Sequence, residues 1–131
     1  KMEIFDSNQN LLAMVINFEN YKERSTFFTD DSQDFQAALF NLKTGDNIKR
    51  HIHNENIRKI KSTSEAIYVI NGTVEVEIYD NSKEFIRKID IKKGQLILLF
   101  QGGHAMNIVE DSTFFEIKQG PYIEIKDKER F

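Results

Sequence analysis

The sequence contains no cysteine and no tryptophan, and it has only one proline among 131 residues. Without cysteine, the chain forms no disulfide framework, zinc-finger site, iron–sulfur cluster or thiol-based catalytic centre. A chain without cysteine fits a reducing compartment, and we therefore expect a cytoplasmic location. No apolar run approaches the roughly 20 residues of a membrane-spanning helix, and the first ten residues contain no secretory hydrophobic region. We accordingly expect no membrane partner.

Size and charge narrow the class of protein further. The 131 residues match one domain, which is long enough to bury a core without a disulfide or a structural metal. The 18 basic and 21 acidic residues give a formal net charge of −3. This mildly acidic composition gives no reason to expect a nucleic-acid partner. The 11 phenylalanines and 4 tyrosines suit a β-rich interior.

Strand signals recur along the chain, and helix signals are weak. Short apolar or alternating runs are separated by turn residues at intervals of roughly 8–12 residues, which indicates an all-β sandwich or barrel. Asn71 and Gly72 between two such runs predict a hairpin with a two-residue turn. Residues 21–34 are polar and predict a loop with a helical turn. The predicted strands are residues 11–19, 35–43, 65–70, 73–80, 84–91, 95–100, 105–110 and 113–119.

Two of the three histidines, His51 and His53, stand one residue apart. On a β-strand, residues i and i+2 point to the same side, so both imidazoles would face one metal ion. If His104 and Glu65 converge on them, the four side chains form a site of three imidazoles and one carboxylate. Such a donor set suits Fe, Mn, Ni, Cu or Zn rather than Ca or Mg. Glu55, two residues beyond His53, is an alternative carboxylate ligand.

The spacing of these residues resembles the first motif of the cupin superfamily, G-x5-H-x-H followed by E-x6-G. Gly45 precedes His51 and His53 at the matching distance, and Glu65 precedes Gly72 at the matching distance. The gap between the two halves departs from the family pattern. It holds eleven residues, where three or four are common.

The second cupin motif, G-x5-P-x-G-x2-H-x3-N, is similar to the region that begins at Gly94. Phe100 replaces the usual proline, and His104 comes one residue early. Asn107 is one residue closer to that histidine than the family pattern asks. All three histidines of the chain nevertheless fall in the family's ligand regions, and the resemblance covers most of the chain.

The resemblance implies an all-β double-stranded β-helix, the cupin jelly-roll barrel, with an N-terminal strand extension. It implies a single cupin domain over residues 1–131, with a core at about 35–119, an N-terminal extension at 1–34 and a C-terminal tail at 120–131. One divalent transition metal would lie near a mouth of the barrel. We also predict a homodimer, in which N-terminal strands such as residues 11–19 pair with a second subunit.

The resemblance implies a metal-binding protein that acts on a small oxygenated molecule, by isomerase- or epimerase-like Lewis-acid chemistry or as a dioxygenase. The terminal runs KQGPY and DKERF resemble small cupins found with bacterial surface-polysaccharide and sugar-nucleotide genes, which suggests a sugar derivative as substrate. The alternative is a non-catalytic cupin that binds or senses a small-molecule ligand. The sequence leaves this choice open.

Several charged residues outside the predicted metal site are further candidates. Arg58, Lys59 and Lys61 lie in the long gap after the second histidine and are candidates for binding an anionic substrate. A solvated strand edge protected by lysines is the alternative interpretation. Glu116 and Lys118 share one face of a late strand and are candidates for an acid or a base, if that face is inward.

Overall fold

The computed structural model describes all residues, 1–131, and shows an all-β chain with antiparallel sheets. It divides into two compact units, unit 1 (Lys1–Phe18 with Ser62–Phe131) and unit 2 (Glu19–Lys61). A 3-10 turn covers Phe18–Asn20, and a short helix α1 covers Glu124–Asp127. The strands are β1 (Met2–Phe5), β2 (Leu11–Asn17), β3 (Ser25–Phe27), β4 (Ala38–Phe40), β5 (Glu65–Asn71), β6 (Thr73–Tyr79), β7 (Phe85–Lys92), β8 (Gln95–Leu99), β9 (Gly103–Ile108) and β10 (Thr113–Lys118).

Unit 1 contains two open antiparallel sheets. One has five strands in the order β1-β2-β8-β5-β10, and the other has three strands in the order β7-β6-β9. Their buried side chains form a single core cluster that draws on both sheets. This arrangement is consistent with a β-sandwich, in which two sheets bury one face each against the other.

The burial pattern of a strand reflects whether one or both of its faces are covered. In β6, Val74, Val76 and Ile78 are buried while the alternating glutamates are half-buried, because one face packs on the core and the other faces water. In β2, by contrast, five consecutive residues are buried. That strand lies inside the sheet, where an apolar run on both faces is tolerated.

Most of the predicted strands are confirmed, with differences at two places in the first part of the chain. Residues 35–43 form only the three-residue strand β4. The predicted loop at residues 21–34 contains β3, which pairs with β4 in unit 2. The polar side chains of that region hold its turns, for example Asp30, whose carboxylate accepts hydrogen bonds from Ser32.

The predicted hairpin around Asn71 and Gly72 is wrong. β5 pairs with β8 and β10, whereas β6 pairs with β7 and β9, so the chain passes from one sheet to the other at this point. Gly72 has a φ of +85°, which allows the sharp change of direction. The Ser112 hydroxyl accepts a hydrogen bond from the Thr73 amide at 3.1 Å and secures the corner.

The predicted role of residues 11–19 in pairing with a second subunit is also corrected by the fold. β2 pairs with β1 along one edge and with β8 along the other. Both rows of backbone hydrogen-bonding groups are therefore used within the chain.

No helix has the length and apolar character needed to cross a membrane.

Candidate functional site

Glu65 and His104, which are far apart in sequence, meet in the space between the two sheets of unit 1. Glu65 begins β5 and shares its face with the core residue Ile67. His104 lies opposite the buried Ile78 in the β6–β9 register, and opposite residues of antiparallel strands point to the same face. The two inward side chains approach to 3.1 Å between His104 Nε2 and Glu65 Oε2.

The Glu65 carboxylate is nearly buried, and one of its oxygens has unused acceptor capacity. The residue is 9% exposed, and its Oε2 atom accepts no hydrogen bond. The imidazole lies within ion-pair distance, but its N–H is not aligned with this oxygen as a hydrogen bond requires. A buried polar atom without a partner costs roughly 1–3 kcal/mol. A ligand that offers a hydrogen-bond donor or a positive charge to Oε2 would remove this cost.

Lys118 lies beside this pair. In the β5–β10 register Lys118 faces Glu65, and Glu116 faces the core residue Ile67, so both side chains are on the inward face. Lys118 Nζ donates a hydrogen bond to Asp127 Oδ2 at 3.1 Å. This bond raises the pKa of Lys118, and the neighbouring negative charges, that of Glu65 among them, act in the same direction against partial desolvation. The ammonium group thus stays charged through the neutral range.

The Lys118–Asp127 ion pair should make the free energy of unfolding depend on pH in the alkaline range. A lysine pKa that is raised on folding contributes stability below its unfolded value of about 10.4, and this contribution is lost as the pH rises through the folded pKa. We expect the wild type to lose more free energy of unfolding than Asp127→Asn between about pH 9 and about pH 11. Urea unfolding at the two pH values measures this difference.

The comparison controls for tyrosine ionisation in the same range. Tyr79, whose pKa is raised by its hydrogen bond to Glu77, titrates in both proteins. An equal loss of stability in wild type and Asp127→Asn would contradict the assignment of the ion pair.

His51 and His53 lie in unit 2, on a segment without regular structure. Their ring centroids are 5.3 Å apart, and His51 Nδ1 is 2.8 Å from the carbonyl oxygen of Lys49. The expectation of a β-strand here is wrong, because residues 46–61 pair with no other strand and are exposed throughout. The two imidazoles are nevertheless close to each other, as the H-x-H spacing predicts.

No three side chains of histidine, cysteine, aspartate or glutamate are grouped so as to hold a metal ion. Of the four predicted ligands, Glu65 and His104 are together in unit 1, and His51 and His53 are together in unit 2. The donor types fit a first-row transition metal, but two protein donors are fewer than the three or four usual for a resident ion. Their joint ligation of one ion stays a prediction.

The other candidate residues are dispersed. Glu55, Arg58, Lys59 and Lys61 are exposed in the segment that follows the histidine pair. Asn107, the candidate asparagine of the second motif, lies opposite Glu75 and donates hydrogen bonds to glutamates on the outer face of the three-stranded sheet. That face is turned away from the inward-facing His104.

The C-terminal residues supply neighbours that no motif indicated. The Asp127 side chain is only 10% exposed at its bond to Lys118. The Phe131 ring packs edge-on against Tyr79, and an added Cβ on Gly103 would lie 2.8 Å from that ring. Glu129 forms an ion pair with Lys83 at 2.8 Å, which lowers the pKa of the glutamate. A charged tail carries no periodic signal, so sequence reasoning predicts it only as surface.

The chain matches no protein-family model, no curated protein and no solved structure. Its function is therefore inferred from its own side chains.

Proposed function

We propose that this chain is a metal-binding protein of the cupin type, and that Glu65 and His104 supply two of the ligands of one divalent transition metal. The two antiparallel sheets of unit 1 would then belong to a jelly-roll barrel. Its expected substrate is a small oxygenated molecule such as a sugar derivative. The lack of cysteine favours a reducing compartment such as the cytoplasm.

One observation carries the proposal. The buried Glu65 Oε2 atom has no hydrogen-bond partner, and the His104 ring nitrogen lies 3.1 Å from it. Carboxylate and imidazole donors brought this close, with unused lone-pair capacity on the carboxylate, are typical of transition-metal ligands. The sequence pattern predicts His51 and His53 as further ligands.

The chain's own side chains then have distinct roles. A divalent ion held by these residues would supply Lewis acidity toward a substrate oxygen. Glu65 and His104 hold their positions through the strands that carry them. Lys118, kept protonated by Asp127, offers a positive charge on the same face for a substrate oxyanion. Arg58, Lys59 and Lys61 would add attraction for a phosphate or a carboxylate.

Metal analysis of the purified protein tests the proposal. We expect about one Fe, Mn, Ni, Zn or Cu ion per chain in the wild type, and metal affinity at least about tenfold lower in Glu65→Gln and His104→Ala. Glu75→Gln, the same change on the outer face, should keep the metal. Circular dichroism confirms that each variant is folded.

The double variant His51→Ala/His53→Ala separates the two pairs of ligands. Loss of metal in this variant supports the four-ligand set, and unchanged metal content removes these histidines from it. A wild-type protein that binds none of the five metals contradicts the proposal as a whole. Turnover against sugar nucleotides and keto acids then distinguishes an enzyme from a non-catalytic binding protein.

A metal-free acid–base enzyme is the second candidate, and it is favoured by the small number of donors grouped at the site. Glu65 and His104 are close enough to pass a proton through a substrate or a water molecule, and Lys118 adds a fixed positive charge. Turnover that survives complete removal of metal by a chelator would select this candidate.

A further inference from the structure

β10 is the last strand of the five-stranded sheet, and one of its two edges is unpaired. It pairs with β5 only, along six residues. The opposite end of the sheet is less suited to pairing, because β1 has four residues, a register shift at its end and an ion pair between Lys1 and Glu3. A free strand edge presents unpaired N–H and C=O groups that a second strand can use.

The outer face of β10 is apolar where it should be polar in a strand exposed to water. Phe115 is 58% exposed and Ile117 is 56% exposed. Phe115 lies opposite Tyr68 in the β5–β10 register, and Tyr68 and Ile70 of β5 are themselves 38% and 42% exposed. These four side chains form one apolar patch next to the free edge. Patches of this kind at a sheet edge mark interaction surfaces.

We propose that β10 pairs antiparallel with β10 of a second copy of this chain, in the register that places Ile117 opposite its own symmetry mate. In that register Glu116 faces Lys118 of the other copy, and the pair occurs twice because a two-fold interface repeats each contact. Opposite charges across an antiparallel pair are stabilising, and like charges are destabilising.

The charges on the inward face select this register over its neighbours. A shift that centres the pairing on Glu116 places two glutamates against each other. A shift that centres it on Phe115 leaves Glu116 opposite Phe114. Only the pairing centred on Ile117 matches both charged residues of the strand, and it also places the exposed Ile117 side chains of the two copies against each other.

The interface would lie beside the candidate functional site. Lys118 uses one of its three donors on Asp127, and the others remain for Glu116 of the second copy. The two five-stranded sheets would join into one continuous ten-stranded sheet. The backbone of Lys118, which faces Glu65 across the β5–β10 ladder, would then be held on both edges.

Sedimentation velocity on charge variants tests the interface. We expect a wild-type dimer, and a dimer dissociation constant at least about tenfold higher in Glu116→Lys and in Lys118→Glu, which corresponds to about 1.4 kcal/mol. Glu3→Lys, the same change at the β1 end of the sheet, should leave the dimer intact.

Ile117→Lys gives a second, independent variant, because it places two like charges at the centre of the pairing and should produce a monomer. Circular dichroism checks that the monomeric variants are folded. A monomeric wild type, a dimer that survives Ile117→Lys, or dissociation caused by Glu3→Lys instead would each overturn the proposal. The measurement is of mass alone, so its result is separate from that of the metal analysis.

Discussion

Replacing Gly72 with alanine should lower the free energy of unfolding by about 3 kcal/mol, in the range of large single-residue effects. Two penalties combine at this corner between the sheets. The backbone has a φ of +85°, which disfavours any residue with a Cβ. The added Cβ would also lie 2.8 Å from Ser112 Cα and closer still to the Asp111 carbonyl oxygen, so backbone must move to accommodate it.

Gly94→Ala is the matched control for this variant. Gly94 has a nearly identical φ of +82°, but nothing lies within 4 Å of its added Cβ. The control should therefore lose only the conformational part, about 1 kcal/mol. Urea unfolding of both variants measures the difference. Equal losses of stability in the two variants would contradict the close packing at the corner between β5 and β6.

Replacing Ile97 with alanine should lower the free energy of unfolding by about 2–5 kcal/mol. Ile97 is fully buried in the core cluster, and it lies opposite Val15 of β2 and Ile67 of β5 in the same sheet. Removing most of its side chain leaves a cavity between three strands that are fixed by their hydrogen-bond ladders. The surrounding atoms can relax only partly into such a cavity.

Ile57→Ala gives the same chemical change at a site that is 95% exposed, and it should alter stability by less than about 0.5 kcal/mol. Thermal or urea unfolding monitored by circular dichroism compares the two. A small effect at Ile97 would show that the core cluster is less tightly packed than the burial of its side chains indicates.

The strands were largely predictable, because alternation and apolar runs report which residues face a core. The alternation in β6, for example, is visible in the sequence and is reproduced in the burial of Val74 and Val76. The partner of each strand was less predictable. Asn71 and Gly72 are compatible with a tight hairpin and equally with a corner between sheets. The observed corner packs against Ser112, forty residues away, and no local pattern reveals this contact.

The candidate site was predictable in part. The motif spacing pointed to Glu65 and His104, and the structure brings them together. The strand expected around His51 is absent, because two residues of regular spacing do not create a pairing partner. The sequence makes Lys118 a candidate, but its inward direction follows only from its pairing with β5.

The position of β2 between β1 and β8 has a consequence for the synthesis of the chain. The β1–β2 hairpin closes through a short local turn, in which the Asp6 carboxylate accepts hydrogen bonds from Asn8 and Asn10. The other edge of β2 can pair only after β8 has been synthesised, and Ile97 of β8 lies about 80 residues beyond Val15. At roughly 5–20 residues per second, a ribosome needs about 4–16 s to supply it. For that interval the nascent chain carries an apolar strand with one open edge, which is a template for non-native strand pairing.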